Sequence, residues 1–197
     1  MQEGTPRRTQ ADRRAATRHA LLDAARDLFV QLGYAETGTP EIVKRAAVTR
    51  GALYHHFADK ADLMRALVQQ EASAVAKEIT TQTTSTQSPL EAFMSGAQAY
   101  FSAMSVPGRV KILLQEGPAV LGLTEMAEID RQTGGATLLE GLRQSSASGY
   151  VKGIPLEPLA DLLSASFDRA ALAIANGENR ADYEIATQSL LKGLLSN

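Results

Sequence analysis

Two of the chain's three histidines, His55 and His56, stand side by side within "TRGALYHHFADK", residues 49–60. Adjacent imidazoles could ligate a metal, act as base to a hydroxyl nucleophile, or offer hydrogen-bonding edges to a partner. Metal ligation fits poorly, because neighbouring residues of a helix diverge by about 100° and no nearby Asp or Glu completes a ligand set. No Ser or Thr stands at a spacing that would hold it against either imidazole, so a nucleophile–base pair has no support. The chain has no cysteine, which excludes disulfides, thiolate metal sites and cysteine nucleophiles. No catalytic residue, metal ligand or cofactor is expected. What remains is a surface that touches something.

The orientation of these side chains depends on the helix that carries them. With Leu53 pointing into a core, Phe57 and Thr49 lie within about 40° of it, and His56 at about 60° is a packing residue. Gly51, Tyr54 and His55 then point outward, with Arg50 and Ala52 at the flanks. A cation, an open glycine backbone, a phenol and an imidazole are groups that meet phosphates and base edges in a major groove. Tyr54 has an alternative use, covering the edge of a small core.

Three further helices are needed to hold that face. Leu21, Ala25, Leu28 and Leu32 recur on one face of a first helix that Gly33 stops. "TGTPEIVKRAA" starts a second, with Thr39 as N-cap and Pro40 in the first turn. Thr49 caps the short third helix at about 49–56, and "ADKADLMRALVQQEASAVAKEIT" forms a long fourth. Two helices across a tight turn, the second short, form a helix-turn-helix.

Beyond residue 80 the pattern stays helical. Ser88–Pro89 restarts a helix after the polar "TQTTSTQSP", and Gly and Pro pairs punctuate the rest. Strand-type alternation is absent, so the class is all-α, with eight to ten helices. Charge is uneven: residues 1–60 hold 10 Lys+Arg and 7 Asp+Glu (+3), residues 61–197 hold 10 and 15 (−5). Arg7, Arg8, Arg13 and Arg14 make residues 1–14 a basic, disordered arm suited to a polyanion. No apolar run is long enough to span a membrane and no secretion signal opens the chain, which predicts a cytoplasmic, soluble protein.

The stretch "ALLDAARDLFVQLGYAETGTPEIVKRAAVTRGALYHHFADKADLMRALV" resembles the N-terminal domain of the TetR family of bacterial transcriptional regulators, most specifically in "GALYHHFADKADL". The resemblance implies a helix-turn-helix DNA-binding domain at 15–62 and a helical ligand-binding and dimerisation domain at 63–197. It also implies roles. Thr37 and Thr39 would touch phosphate at the start of helix two, and Thr49, Arg50, Gly51 and Ala52 would open the recognition helix. Tyr54 and His55 would face the DNA, and Lys60 would reach a phosphate. Two positions depart from the family pattern. Gly38 stands where a hydroxyl residue is usual, and Ala47 stands where the turn commonly has glycine, so a positive φ there would cost roughly 1 kcal/mol.

The remainder is less specific. "ILLQEGPAVLG" (112–122) resembles a segment found in part of the same family. Phe93, Tyr100, Met104, Leu113, Met126 and Phe167 are candidates to line an apolar ligand pocket, although each could equally be ordinary core. Glu116, Glu125, Glu128 and Asp130 raise the alternative of a cationic ligand. Residues 61–197 contain no histidine, which speaks against an enzyme. Stripes at about 156–176 and 182–196 predict a homodimer seam holding Leu163, Phe167, Ile174 and Leu190. The expected function is a repressor released from a palindromic operator on double-stranded DNA by a small apolar or amphipathic ligand, acting through the long fourth helix. A regulator without a small ligand, answering to a protein partner or acting as an activator, is the second reading.

Overall fold

Helices are the only regular elements among the described residues, 9–83 and 88–195, of the computed structural model. Ten α-helices and one π-helical segment form two compact units, one ending at Leu67 and the other starting at Val68. The division falls inside the fourth helix, about a turn beyond the boundary expected after residue 62.

In the first unit, α1 spans Gln10–Leu32. It starts well inside the basic arm expected to be disordered over residues 1–14. Thr9 Oγ1 accepts from the Asp12 amide at 3.2 Å, while the Thr9 amide donates to Asp12 Oδ2 at 2.9 Å. This reciprocal box satisfies two otherwise orphaned donors, so the helix begins at Gln10 and carries Arg13 and Arg14. Residues 1–8, with Arg7 and Arg8, lie outside the described residues. Leu21, Leu22, Ala25 and Phe29 are buried, but Leu32 is 52% exposed, so the core stripe ends a turn earlier than expected. Gly33, at φ 89°, closes the helix by donating to the Phe29 carbonyl.

Helix α2 spans Thr39–Arg45 and is capped by Gly38, so Thr39 is its first helical residue and not the N-cap. Ile42 is fully buried. The turn that follows puts Ala47 at φ 53°, the left-handed conformation expected there. That geometry costs an alanine roughly 1 kcal/mol relative to glycine. Ala47→Gly is therefore expected to raise stability by about 1 kcal/mol, seen as a higher urea midpoint with an unchanged slope; a lower midpoint would show that the turn relaxes without strain. Thr49 caps α3 (Arg50–His56) by accepting from the Ala52 amide at 3.2 Å. Leu53 and Phe57 are buried as expected, but Thr49, outside the helix proper, is exposed rather than inward. Asp59 Oδ1 accepts from the Asp62 amide at 2.7 Å, and Asp62 Oδ2 accepts from the Ala58 amide at 3.0 Å. These bonds start α4, Lys60–Gln82. Each fully buried Leu of this small core contributes about 1.5–3 kcal/mol of transfer free energy.

In the second unit, Ser88 and Glu91 form another capping box ahead of α5, Pro89–Met104. A π-helical segment, Lys111–Glu116, runs into α6 (Gly117–Leu121). A Cβ on Gly117 would stand 2.8 Å from the Ile112 carbonyl oxygen and 3.2 Å from Met126 Sδ, so only glycine fits that wide turn. α7 (Leu123–Arg131), α8 (Gly134–Ala147), α9 (Leu156–Ala175) and α10 (Arg180–Leu195) complete the unit. α8 packs on α9, and α10 on α5. Their core is built on Phe93, Phe101, Leu142, Phe167 and Leu191.

Candidate functional site

The outward face of α3 is assembled by its own first turn and by α2. The Arg50 guanidinium lies 5.6 Å from the centroid of the Tyr54 ring, a cation–π contact one helical turn apart. A hydrogen bond with Thr39, and then one with Arg50, lowers the Tyr54 phenol from its ordinary pKa. Arg50 and Tyr54 therefore share one exposed polar face of α3, and Thr39 at the start of α2 is near enough to act on the phenol. Tyr54 is 44% exposed, so it does not serve as a lid on the core. His55 is exposed beside it, edge-on to His56 at 5.4 Å.

His56 turns toward α1. Burial, then the charges of His55, Arg14 and Arg18, holds its imidazole below the usual pKa. It is half-buried, less exposed than His55. Arg18 covers the Phe57 ring at 5.2 Å.

Gly51 has a different meaning from the glycines that shape turns. A Cβ placed there would find nothing nearer than Thr49 Oγ1 at 3.9 Å. The fold has room for a side chain, and alanine in a helix would be about 1 kcal/mol more favourable. The bare backbone thus offers something to an approaching partner that the fold itself does not require.

Two expected contact residues are engaged within the fold. Thr37 is only 1% exposed and donates its hydroxyl to the Gly33 carbonyl at 2.7 Å, so its side chain is closed off from phosphate. Lys60 donates from Nζ to the carbonyls of Tyr34 at 2.8 Å and Thr37 at 2.9 Å, and sits 4.1 Å from the Tyr34 ring centroid. Two of its three donors are spent holding the α1–α2 connection, because the carbonyls after the Gly33 stop need a partner. Lys60 ties the start of α4 to the α1–α2 connection. Its partner Tyr34 was not anticipated, and a lone aromatic after a helix-stopping glycine gave no signal for it. Thr39, Thr49, Arg50, Gly51, Ala52, Tyr54 and His55 are the expected residues left at or beside the accessible face.

The expected ligand pocket is mostly filled. Phe93, Tyr100 and Phe167 belong to the α5–α8–α9–α10 core, with Tyr100 and Phe167 ring centroids 5.5 Å apart. Leu113 is buried, and Met126 packs on Gly117. Met104 lines a cavity. It opens into an apolar cleft of about 310 Å³ together with Phe101, Val106, Val110, Ala171 and Ile174. A larger, polar groove of about 640 Å³ runs between α4 and α5 past Lys77, Glu78, Gln98 and Ser102. Inside the core, the Tyr100 hydroxyl donates to Asp168 at 2.7 Å, and burial, reinforced by Asp130, raises the Asp168 carboxyl to about 6.

Residues 21–67 match the family described as bacterial regulatory proteins, tetR family, and residues 90–197 match the tetracyclin repressor-like C-terminal domain. The chain is similar to the TetC protein of transposon Tn10 from Escherichia coli, 28% identical over 91% of each chain. It is 44% identical over 62 residues, 32% of this chain and 29% of that one, to the transcriptional repressor BepR of Brucella suis. Among solved structures, a TetR-family transcriptional regulator from Pectobacterium atrosepticum is 30% identical with a TM-score of 0.74, over 96% of this chain and 99% of that one.

Proposed function

From the premise that this chain belongs to the tetR family of bacterial regulatory proteins and is a DNA-binding transcriptional regulator, we propose that it is a homodimeric repressor that leaves a palindromic operator when a small apolar ligand binds. The observation that carries the DNA half of this reading is the exposed Arg50–Tyr54 pair, 5.6 Å from guanidinium to ring centroid, beside an open Gly51. Cation, phenol and bare backbone converge where no requirement of the fold calls for them. A two-fold pair of such helices would read half-sites about one helical turn of DNA apart.

The dimer half rests on large apolar side chains left mostly exposed on the last two helices. Leu162 on α9 is 71% exposed, and Ile185 and Leu190 on α10 are each 62% exposed. The ligand half rests on the apolar cleft beside Met104. No described helix is long and apolar enough to cross a membrane.

Selection from random duplexes tests the reading directly. Enrichment of an inverted repeat is expected, and an unenriched pool would sink it. Against the selected duplex, Arg50→Ala and Tyr54→Ala should each weaken binding by about 1–3 kcal/mol while circular dichroism stays unchanged. Arg50→Ala, not a change at Lys60, should flatten the dependence of affinity on salt by about one phosphate. Wild-type affinity in the folded double variant would remove α3 from the interface.

A further inference from the structure

We propose that Arg109 is the residue that couples the apolar cleft to α4, so that an occupant of the cleft is read out as a loosened grip on that helix. The proposal rests on the ligand-responsive reading above and deepens it.

Arg109 and Glu71 are among the few charged side chains buried in the second unit, at 6% and 5% exposure. The guanidinium Nε donates to Glu71 Oε2 at 2.9 Å, and Nη1 donates to Glu78 Oε1 at 3.0 Å and to the Ala103 carbonyl at 2.7 Å. Glu71 and Glu78 lie seven positions apart, two turns along one face of α4. One arginine thus clamps two turns of α4 to the end of α5. α4 is a single uninterrupted helix from Lys60 to Gln82. Its first residue is the lysine that holds the α1–α2 connection.

Arg109 also sits inside the wall of the cleft. Val106, Pro107 and Gly108 before it and Val110 after it all line that space, facing Ala171 and Ile174 of α9. The Arg109 amide donates back to the Val106 carbonyl at 3.1 Å, so the segment moves as one turn. A molecule that pushes this segment outward carries the guanidinium with it. The lining chemistry selects a small, mainly apolar compound, with the Ser105 hydroxyl as the one polar group among its side chains.

A buried ion pair contributes little net stability when well formed, but separating it leaves charges in a poor solvent. A displacement of a fraction of an ångström at the cleft therefore becomes a large change in what α4 can tolerate. A hydrophobic clamp of the same size would lack this sharp response. This accounts for charged residues at two positions where apolar ones would pack as well.

The experiment replaces the unidentified ligand by a filled cleft. Ala171→Phe fills it from the buried side and Ala175→Trp from the exposed rim, so a folded filling variant is available whichever the fold accepts. Affinity for the selected duplex is measured with and without filling, in the wild type and in Arg109→Met/Glu71→Met. Filling should weaken binding at least tenfold in the wild type and less than twofold in the doubly apolar background. If that background fails to fold, Glu71→Gln, which keeps shape and an acceptor but removes the anion, should likewise blunt the effect of filling. Equal weakening in both backgrounds, or none in either, overturns the coupling role of Arg109. A wild type that enriches no duplex overturns the regulator reading itself, a distinct failure.

Discussion

A chain carrying Ile185→Asp and Leu190→Asp is expected to sediment as a monomer at micromolar concentration, where the wild type sediments as a dimer. Its helix content should be intact. Both side chains are 62% exposed in the single chain, so neither aspartate is forced into the core on folding. Ala186 and Ser189 lie beside them on the outer face of α10, and Ala165 and Ser166 are exposed on α9 with Leu162. Small residues between large apolar ones let two helices approach closely. In a two-fold seam each substitution appears twice, so four carboxylates would be stranded. At about 3–5 kcal/mol for each uncompensated buried charge, the total exceeds the roughly 12 kcal/mol of a nanomolar dimer. The variant should also bind a single half-site no better than nonspecific DNA. A wild type that is monomeric, or a double aspartate variant that stays dimeric, would place the seam elsewhere.

The same face shows where sequence reading loses resolution. Of the residues expected near the seam, Phe167 is buried and Leu163 and Ile174 are half-buried against the core of the single chain, whereas Leu190 is exposed. α9 is apolar on two sides. A 3.6-residue period finds an apolar stripe but cannot say which of two stripes meets its own chain and which a second copy. Phe167→Asp would therefore unfold the second unit rather than split a dimer.

The first unit was far more legible. Leu53 inward, Phe57 inward and Tyr54 and His55 outward follow from a seven-residue helix whose angles leave little choice. The left-handed Ala47 followed from the resemblance, which puts a glycine at that place in the turn. The bonds that Lys60 and Thr37 make inside the fold were not legible, because sequence says which groups can donate, not which carbonyls lie within reach. The Tyr34 and Thr37 carbonyls that take up Lys60 are visible only once α1 and α4 are folded around them. The ligand pocket is ambiguous in sequence for a related reason. Phe93, Tyr100 and Phe167 are the right residues to line a cavity and equally the right residues to fill one, and the outcome depends on volumes that no periodicity encodes.

Tyr100 also leads to the second large effect, an unusual dependence of stability on pH. Its hydroxyl donates to Asp168, whose carboxyl is raised to about 6 by burial and by the nearby charge of Asp130, despite that hydrogen bond. Asp130 is itself raised, by burial first and also by Asp161; the hydroxyl of Ser164, the amide of Gly135 and Arg131 oppose this. An aspartate in the unfolded chain titrates near 3.9, so between about pH 4 and pH 6 the folded state holds the extra proton. Stability from Asp168 is thus fully present below pH 4, falls as pH rises through 6, and stays low above it. A shift of about two pH units corresponds to a cost on the order of 3 kcal/mol at pH 7.5. Asp168→Asn removes the titration and keeps an oxygen to accept from Tyr100. It is expected to be more stable than the wild type by on the order of 3 kcal/mol at pH 7.5 and by little at pH 4. Urea midpoints of the two proteins across this range isolate the Asp168–Asp130 pair, because the titrating groups away from it cancel in their difference. A difference that does not grow between pH 4 and 7.5, or an asparagine variant less stable at neutral pH, would mean that Asp168 keeps its charge comfortably and that the core around Tyr100 is better solvated than its packing implies.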